Sequence, residues 1–452
     1  MAIPARALPH GADGPRRPPL RRAVSSLGVR NYRLYFWGQT VSVAGTWMQT
    51  MALAFLVLKL TGSGTDLGAA SAVRLLPFVL LGPMGGVIAD RVDKRRLLYV
   101  TQSASAVVAA VFAALTAFDA ATFPLVMVLS LVAGCLTVFD NPARQSLIGE
   151  LVPRDQLSNA VTLSSVSVNL SRVIGAAVGG TLVAAVGLSA AFALNAVSFA
   201  GVLVSLALMR ASQMHSAGRV PRAGGQVREG LRYARRTPAL FLPLFMVTIT
   251  GTLAYEFPIS LPLVARGAFH GGAGIYGLMA AVMAAGAVAG GLVAASRGGR
   301  RRAASLAGAS IGWGVAILAA ALAPDLPLEC VALLFVGYGS ITFNSYAKTA
   351  LQLAAAPSMR GRVMALWALA WGGTTVVGGP VIGWVAEEFG SRWTLVVGGA
   401  PTVLLGLAML PALRRIDHAA DRPPRELEPE HEPEPAGAGT GSPAPADVEP
   451  TA

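Results

Sequence analysis

Four ionisable side chains stand inside otherwise apolar stretches of this chain: Arg74, Asp140, Arg172 and Glu256. In hydrocarbon each would cost roughly 2.5–3.5 kcal/mol, so each calls for a use or a partner. Glu256 is the most informative. With Thr248, Thr252 and Tyr255 it follows the spacing i, i+4, i+7, i+8, which is one face of a helix. A carboxyl on a buried polar face can carry a proton, because burial disfavours its charged form. It can also be a neutral or paired structural tie. Asp140 is the second proton-carrying candidate, although pairing with a nearby base suits it better. Arg172 could tie two helices together or attract an anion. Two further polar stripes share the pattern: Gln39, Ser42, Thr46 and Gln49, then Tyr338, Thr342, Ser345 and Tyr346. Trp47, Met48, Met51 and Phe257 lie among them and offer adaptable apolar surface to a hydrophobic ligand.

Other chemistries lack their residues. The two cysteines, Cys135 and Cys330, make neither a disulfide framework nor a metal spacing, and the five histidines do not cluster. There is no GxxxxGK[ST] phosphate loop, no Ser–His–Asp set and no carboxylate pair at fixed spacing. The expectation is a protein without metal or cofactor that is not an enzyme and does not use ATP directly.

A second feature is the string GGVIADRVDKRR at residues 85–96. Between apolar neighbours it concentrates Asp90, Arg91, Asp93, Lys94, Arg95 and Arg96. The basic excess would hold such a loop on the cytoplasmic side of a membrane. The acids need another reason. Arg91 and Lys94 could pair with Asp140, and Gly82 and Gly86 form a face of small residues that permits close helix approach.

The elements that position these residues follow from composition. Of the 452 residues 54% are hydrophobic and only 13% charged. A soluble domain carries roughly 25% charged residues, so this is a membrane protein. The apolar runs reach the ~20 residues that a spanning helix needs and do not alternate as a barrel's strands would. Twelve spans are predicted, at 34–58, 67–89, 97–118, 123–143, 160–186, 190–209, 239–264, 273–295, 303–323, 328–347, 362–386 and 393–413. They are numbered 1 to 12 below. Residues 1–33 form a basic tail and 210–238 a polar linker, whose VREGLRYARR could make a basic interfacial helix. The Pro- and Glu-rich 415–452 is expected to be disordered. One set of connections holds most of the arginines, while the other holds Lys59, Arg266 and Arg392. Both termini are therefore expected in the cytoplasm, in a bacterial cytoplasmic membrane. The net charge of +13 is spread over these short loops, which excludes a nucleic-acid partner in favour of the lipid surface.

A shift of 203 residues lays RVIGAAVGGTLVAAVG (172–187) on TVVGGPVIGWVAEEFG (375–390), pairing Gly175 with Gly378, Gly180 with Gly383 and Gly187 with Gly390. Span 5 then matches span 11, as two parallel six-helix halves, 34–209 and 239–414, require. With this repeat, GGVIADRVDKRR resembles the signature between spans 2 and 3 of the major facilitator superfamily, with Asp93 where its loop usually has glycine. FDNPARQSLIGELVPRDQLSNA (139–160), RVIGAAVGG and GRVMALWALAWGG resemble the branch of enterobactin and macrolide exporters. One departure stands out. The Gly-Pro motif of drug exporters is missing from span 5, where Ala176 and Ala177 follow Gly175, and Gly379-Pro380 in span 11 is the one pair of that type.

The resemblance implies an all-α fold of twelve spans in which spans 1, 4, 7 and 10 line a central cavity. It places Asp90 near the start of span 11, where Gly86, Asp90, Arg91, Lys94 and Asp140 would form a conformational latch. It implies a monomeric secondary transporter that exports small amphipathic molecules against protons by alternating access. Proton-coupled uptake of a nutrient is the alternative reading.

Overall fold

The computed structural model describes residues 24–214, 226–296 and 303–420. Twelve helical spans long and apolar enough to cross a membrane occupy them, each within several residues of its predicted place. Among the described residues every regular element is helical. The helices outrun their apolar cores. Span 1 is Arg30–Thr61, span 3 Lys94–Ala117, span 4 Phe123–Leu151 and span 10 Leu326–Ala354. Span 12 continues from Trp393 to Ala420, so the start of the tail predicted as disordered is helical. Residues 1–23, most of the linker and everything beyond 420 lie outside the described residues.

Local chemistry sets the connections. Gly62, at φ 70°, ends span 1 in the left-handed conformation and donates to Leu58 O at 3.1 Å. Ser63 then caps span 2, Gly64–Arg91, by accepting from the Asp66 amide at 3.0 Å. Asp93 does the same for span 3, accepting from the Arg96 amide at 2.8 Å. That answers part of the question raised by the charged string, since one of its acids is a helix cap. The linker helix forms over Gln226–Arg236 and packs on span 11, with Arg362 and Glu229 paired at 2.6 Å.

Two spans are interrupted where one continuous helix is predicted. Span 7 is Pro238–Leu253 and Phe257–Gly267, with Glu256 at the break. Pro258 in the second helical position supplies no amide to the carbonyl four residues back, so the helical ladder is interrupted there. Span 11 is Arg360–Gly372 and Thr375–Phe389, broken at Gly373-Thr374.

The repeat is obeyed residue by residue. A side chain at Gly175 would collide with the Ala44 carbonyl of span 1, and one at Gly378 with the Thr252 carbonyl of span 7. Gly180 meets Gly277 of span 8, and Gly383 meets the backbone of Gly64 in span 2. Gly187 and Gly390, at φ 109° and 99°, turn the chain out of spans 5 and 11. Each half thus repeats the other's contacts, and the same glycines join the halves. Gly68 on Gly379 and Gly64 on Gly383 are the small-residue contacts between spans 2 and 11. The expectation of such a contact is corrected for Gly82. A side chain at Gly82 would meet only Phe78 of its own helix, and the neighbouring Gly85 faces Val138 of span 4.

The halves touch mainly at the end remote from the termini. There Thr65 donates from its amide (3.1 Å) and hydroxyl (2.6 Å) to Glu387, and Arg266 donates to Leu58 O at 3.0 Å. Phe55 and Tyr276 meet at 5.8 Å between centroids. Met51 of span 1 is buried among the core of the second half, and Ile259 and Ile382 among the core of the first. Among the described residues, no cross-half hydrogen bond or glycine contact lies nearer the termini than Gly372 and Gly373 against Phe78 and Val79.

Candidate functional site

At mid-depth three of the singled-out residues converge. Arg172 of span 5 lies over the Trp47 ring, 4.6 Å from its centroid. Across the seam its electrostatic neighbour is Tyr255, at the break of span 7. Tyr255 donates to Ser340 O of span 10 at 2.7 Å and packs against Trp313 (4.6 Å) and Trp371 (5.8 Å). Trp371 stacks on Trp367 at 6.0 Å, and Lys348 Nζ sits 5.1 Å from the Trp367 centroid. Each half thus supplies aromatic rings with a cation beside them, and the Arg172–Tyr255 interaction links the two groups. Sequence reading missed Trp367, Trp371 and Lys348. The four-residue spacing of the two tryptophans in GRVMALWALAWGG was the available signal.

Glu256 sits apart from these groups. It is 2% exposed and wedged between spans 7 and 11, with Oε1 2.9 Å from the Cβ position of Gly378. That oxygen has no hydrogen-bond partner. The predicted stripe assumed an unbroken helix. The break turns Tyr255 toward span 10 and Glu256 toward span 11, while the Thr248 and Thr252 hydroxyls bond to carbonyls of their own helix.

Asp140 is fully partnered. It accepts from Thr101 (2.9 Å) and Gln102 (2.6 Å) of span 3 and pairs with Arg144 at 2.6 Å. Arg144 continues to Gln39 of span 1 at 3.1 Å. A buried carboxylate with three donors is a structural knot of spans 1, 3 and 4. The latch expectation is corrected in one pairing. Lys94 reaches Glu150 at 2.6 Å instead of Asp140, because Arg144, one turn along the same helix, already occupies that carboxylate. Arg91 is exposed and Gly86 partly so, and the Asp90 side chain lies outside the described residues.

The remaining stripe residues disperse. Gln49 accepts from Asn195 of span 6 at 2.5 Å. Thr46 bonds to Ser42 O of its own helix, and Ser42 is buried. Arg74 donates to Thr50 at 3.0 Å, tying span 2 to span 1. Tyr338 backs onto Gly290 of span 8 and accepts from Thr342 through its carbonyl, while Tyr346 packs on the second half's core. A carboxyl missed entirely is Glu329 of span 10, fully buried, with neither oxygen hydrogen-bonded and Arg392 as its charged neighbour.

Twelve spans in two repeated halves, sealed at one end and meeting at a polar centre, define a membrane transporter of the major facilitator fold. A bacterial homologue of the human lysosomal transporter Spinster, solved inward-facing and unoccupied, has this fold, with a TM-score of 0.69, 16% identity, and 91% of this chain and 100% of that one covered. A family profile described as transmembrane secretion effector matches residues 22–435, and the chain belongs to that family of major facilitator transporters. Macrolide efflux protein A of Streptococcus pyogenes is 23% identical over 401 residues, 86% of this chain and 98% of that protein. The uncharacterised transporter YfiS of Bacillus subtilis is 28% identical over 218 residues, 47% of this chain and 51% of YfiS, so there the chain spans about half the relative's length.

Proposed function

We propose that the protein exports a small amphipathic compound across the bacterial cytoplasmic membrane in exchange for protons, by alternating access. Similarity to a macrolide efflux protein along 98% of that relative's length carries the efflux reading. Both termini and the 210–238 linker are taken as cytoplasmic, because the connections at that end hold most of the arginines. In that orientation the cleft opens inward and the outer side is closed by Glu387–Thr65 and Arg266–Leu58. The two six-span units are 34–209 and 239–414, rocking about the centre as a monomer, with no chemical step on the substrate.

Substrate meets the wall built by Trp47, Arg172, Tyr255 and Trp371. Glu256 carries the coupling proton. Its burial, its unpartnered oxygen and its place at the break of span 7 support that role. Asp140 is the weaker carrier, since three donors already occupy its oxygens. Each proton entering gains about 2.3 kcal/mol per 100 mV, which can drive export uphill.

The test uses inverted vesicles with a pH-sensitive dye. Amphipathic compounds that are substrates should draw protons from the lumen of vesicles carrying the wild type, and much less with Glu256→Gln. Uptake symport, the alternative, predicts substrate accumulation in right-side-out vesicles instead.

A further inference from the structure

We propose that the central site selects organic anions with a flat conjugated body, in preference to lipophilic cations. This rests on the reading of the cleft as a transporter's substrate site and names the chemical class of its substrate.

Charge is the first observation. Arg172 and Lys348 belong to this site, and among the described residues neither has a carboxylate within ion-pair distance. The carboxylates that could balance them are committed elsewhere. Asp140 is held by Arg144, Glu256 is turned into the seam of spans 7 and 11, and Glu329 neighbours Arg392. The cleft therefore presents positive charge without its counterion.

The arrangement of those cations is the second observation. An aromatic cage can bind a ligand cation over its ring faces. Here the protein's own cations take that place, Arg172 over Trp47 at 4.6 Å and Lys348 by Trp367 at 5.1 Å. A ligand cation would meet them as like charges. A flat anion would pack on the partly exposed rings and be attracted by these cations.

Unused donors are the third observation. Arg172 Nε and Trp367 Nε1 are buried and have no acceptor. A buried donor left unpaired is costly. Two donors and two positive charges call for a ligand rich in acceptor oxygens, such as a carboxylate, sulfonate or catecholate on a ring. A ligand with only donors would leave both unpaired.

The test pairs two probes with one aromatic body and opposite charge, naphthalene-2-sulfonate and 2-naphthyltrimethylammonium. Each is titrated by equilibrium dialysis into the purified full chain in detergent. The sulfonate should bind at least tenfold tighter than the ammonium. Arg172→Gln should weaken the sulfonate at least tenfold, and Lys348→Gln, at an exposed position, about threefold. If Arg172→Gln does not fold, Lys348→Gln gives the same readout. Equal or preferential ammonium binding overturns the proposal, as does no binding of either probe or sulfonate affinity unchanged in the folded variants. Proteoliposome transport separates the two readings. Transport of a neutral or cationic compound without sulfonate binding overturns anion selection and keeps the exporter. Sulfonate binding with no proton-linked transport of any compound overturns the exporter and keeps the anion site.

Discussion

Glu256 and Asp140 are both buried carboxyls on spans, yet their surroundings differ in the way that matters for proton transfer. Asp140 has three donors at 2.6–2.9 Å, which occupy its oxygens and hold it in one geometry. Glu256 has a free oxygen beside a glycine and sits where a helix is interrupted. Two outcomes follow. Glu256→Gln should lower substrate-linked proton flux at least tenfold while leaving substrate exchange without net proton movement intact, read by counterflow in proteoliposomes. Unchanged proton flux would move the carrier elsewhere, and Glu329 would be next to test. Asp140→Asn should act on stability instead, because it leaves Arg144 without its charge partner. A loss of about 2 kcal/mol, the worth of a hydrogen bond to a charged group, should appear as a lower melting temperature of the purified protein.

At the scale of elements, the two broken spans lie against each other. Gly251 of span 7 meets Ala370 and Thr374 of span 11, and Gly378 of span 11 meets Thr252 and Glu256 of span 7. Their counterparts in the first half, spans 1 and 5, are continuous helices. The symmetry is thus broken where the candidate proton carrier sits, and interrupted helices are where transporters place their ion sites. Gly378→Ala should push the two spans apart, because its methyl would enter the Thr252 carbonyl and crowd Glu256. The expected result is a lower melting temperature together with transport reduced by more than half. Gly82→Ala is the control, since its methyl meets only Phe78 at 3.9 Å. Equal behaviour of the two variants would mean that span 7–11 contact is unimportant.

For the whole molecule, closure of the end remote from the termini depends on few polar contacts over a glycine-lined seam. Glu387 reaches the first turn of span 2, where a carboxylate also meets the positive end of the helix dipole. Glu387→Ala should cost that closure about 1 kcal/mol, since the site is exposed, and shift the population of the outward-open state roughly fivefold. Spin labels on span 1 and span 7 at that end would report the change as a longer distance in a larger fraction of molecules. An unaltered distance distribution would leave the seal to the glycine contacts, Arg266 and the apolar packing.

The sequence by itself determined the class and the repeat. Twelve apolar runs need hydrocarbon, whatever their neighbours, and the pairing of Gly175 with Gly378 and of Gly187 with Gly390 could be read because a glycine demanded by close packing or by positive φ has no substitute. The site was legible only in pieces. Arg172, Trp47 and Tyr255 stood out as polar or aromatic residues in apolar runs, but nothing local says that they meet, since they lie on spans 5, 1 and 7 of opposite halves. The Pro258 break could have been read locally, and it alone reassigns Tyr255 and Glu256 to different neighbours. Which base Asp140 takes, which glycines join spans 2 and 11, and which rings line the cleft were left to the tertiary structure. A helical face fixes the direction of a side chain, whereas its partner depends on the rotation and depth of the helix opposite, which packing of the whole bundle sets.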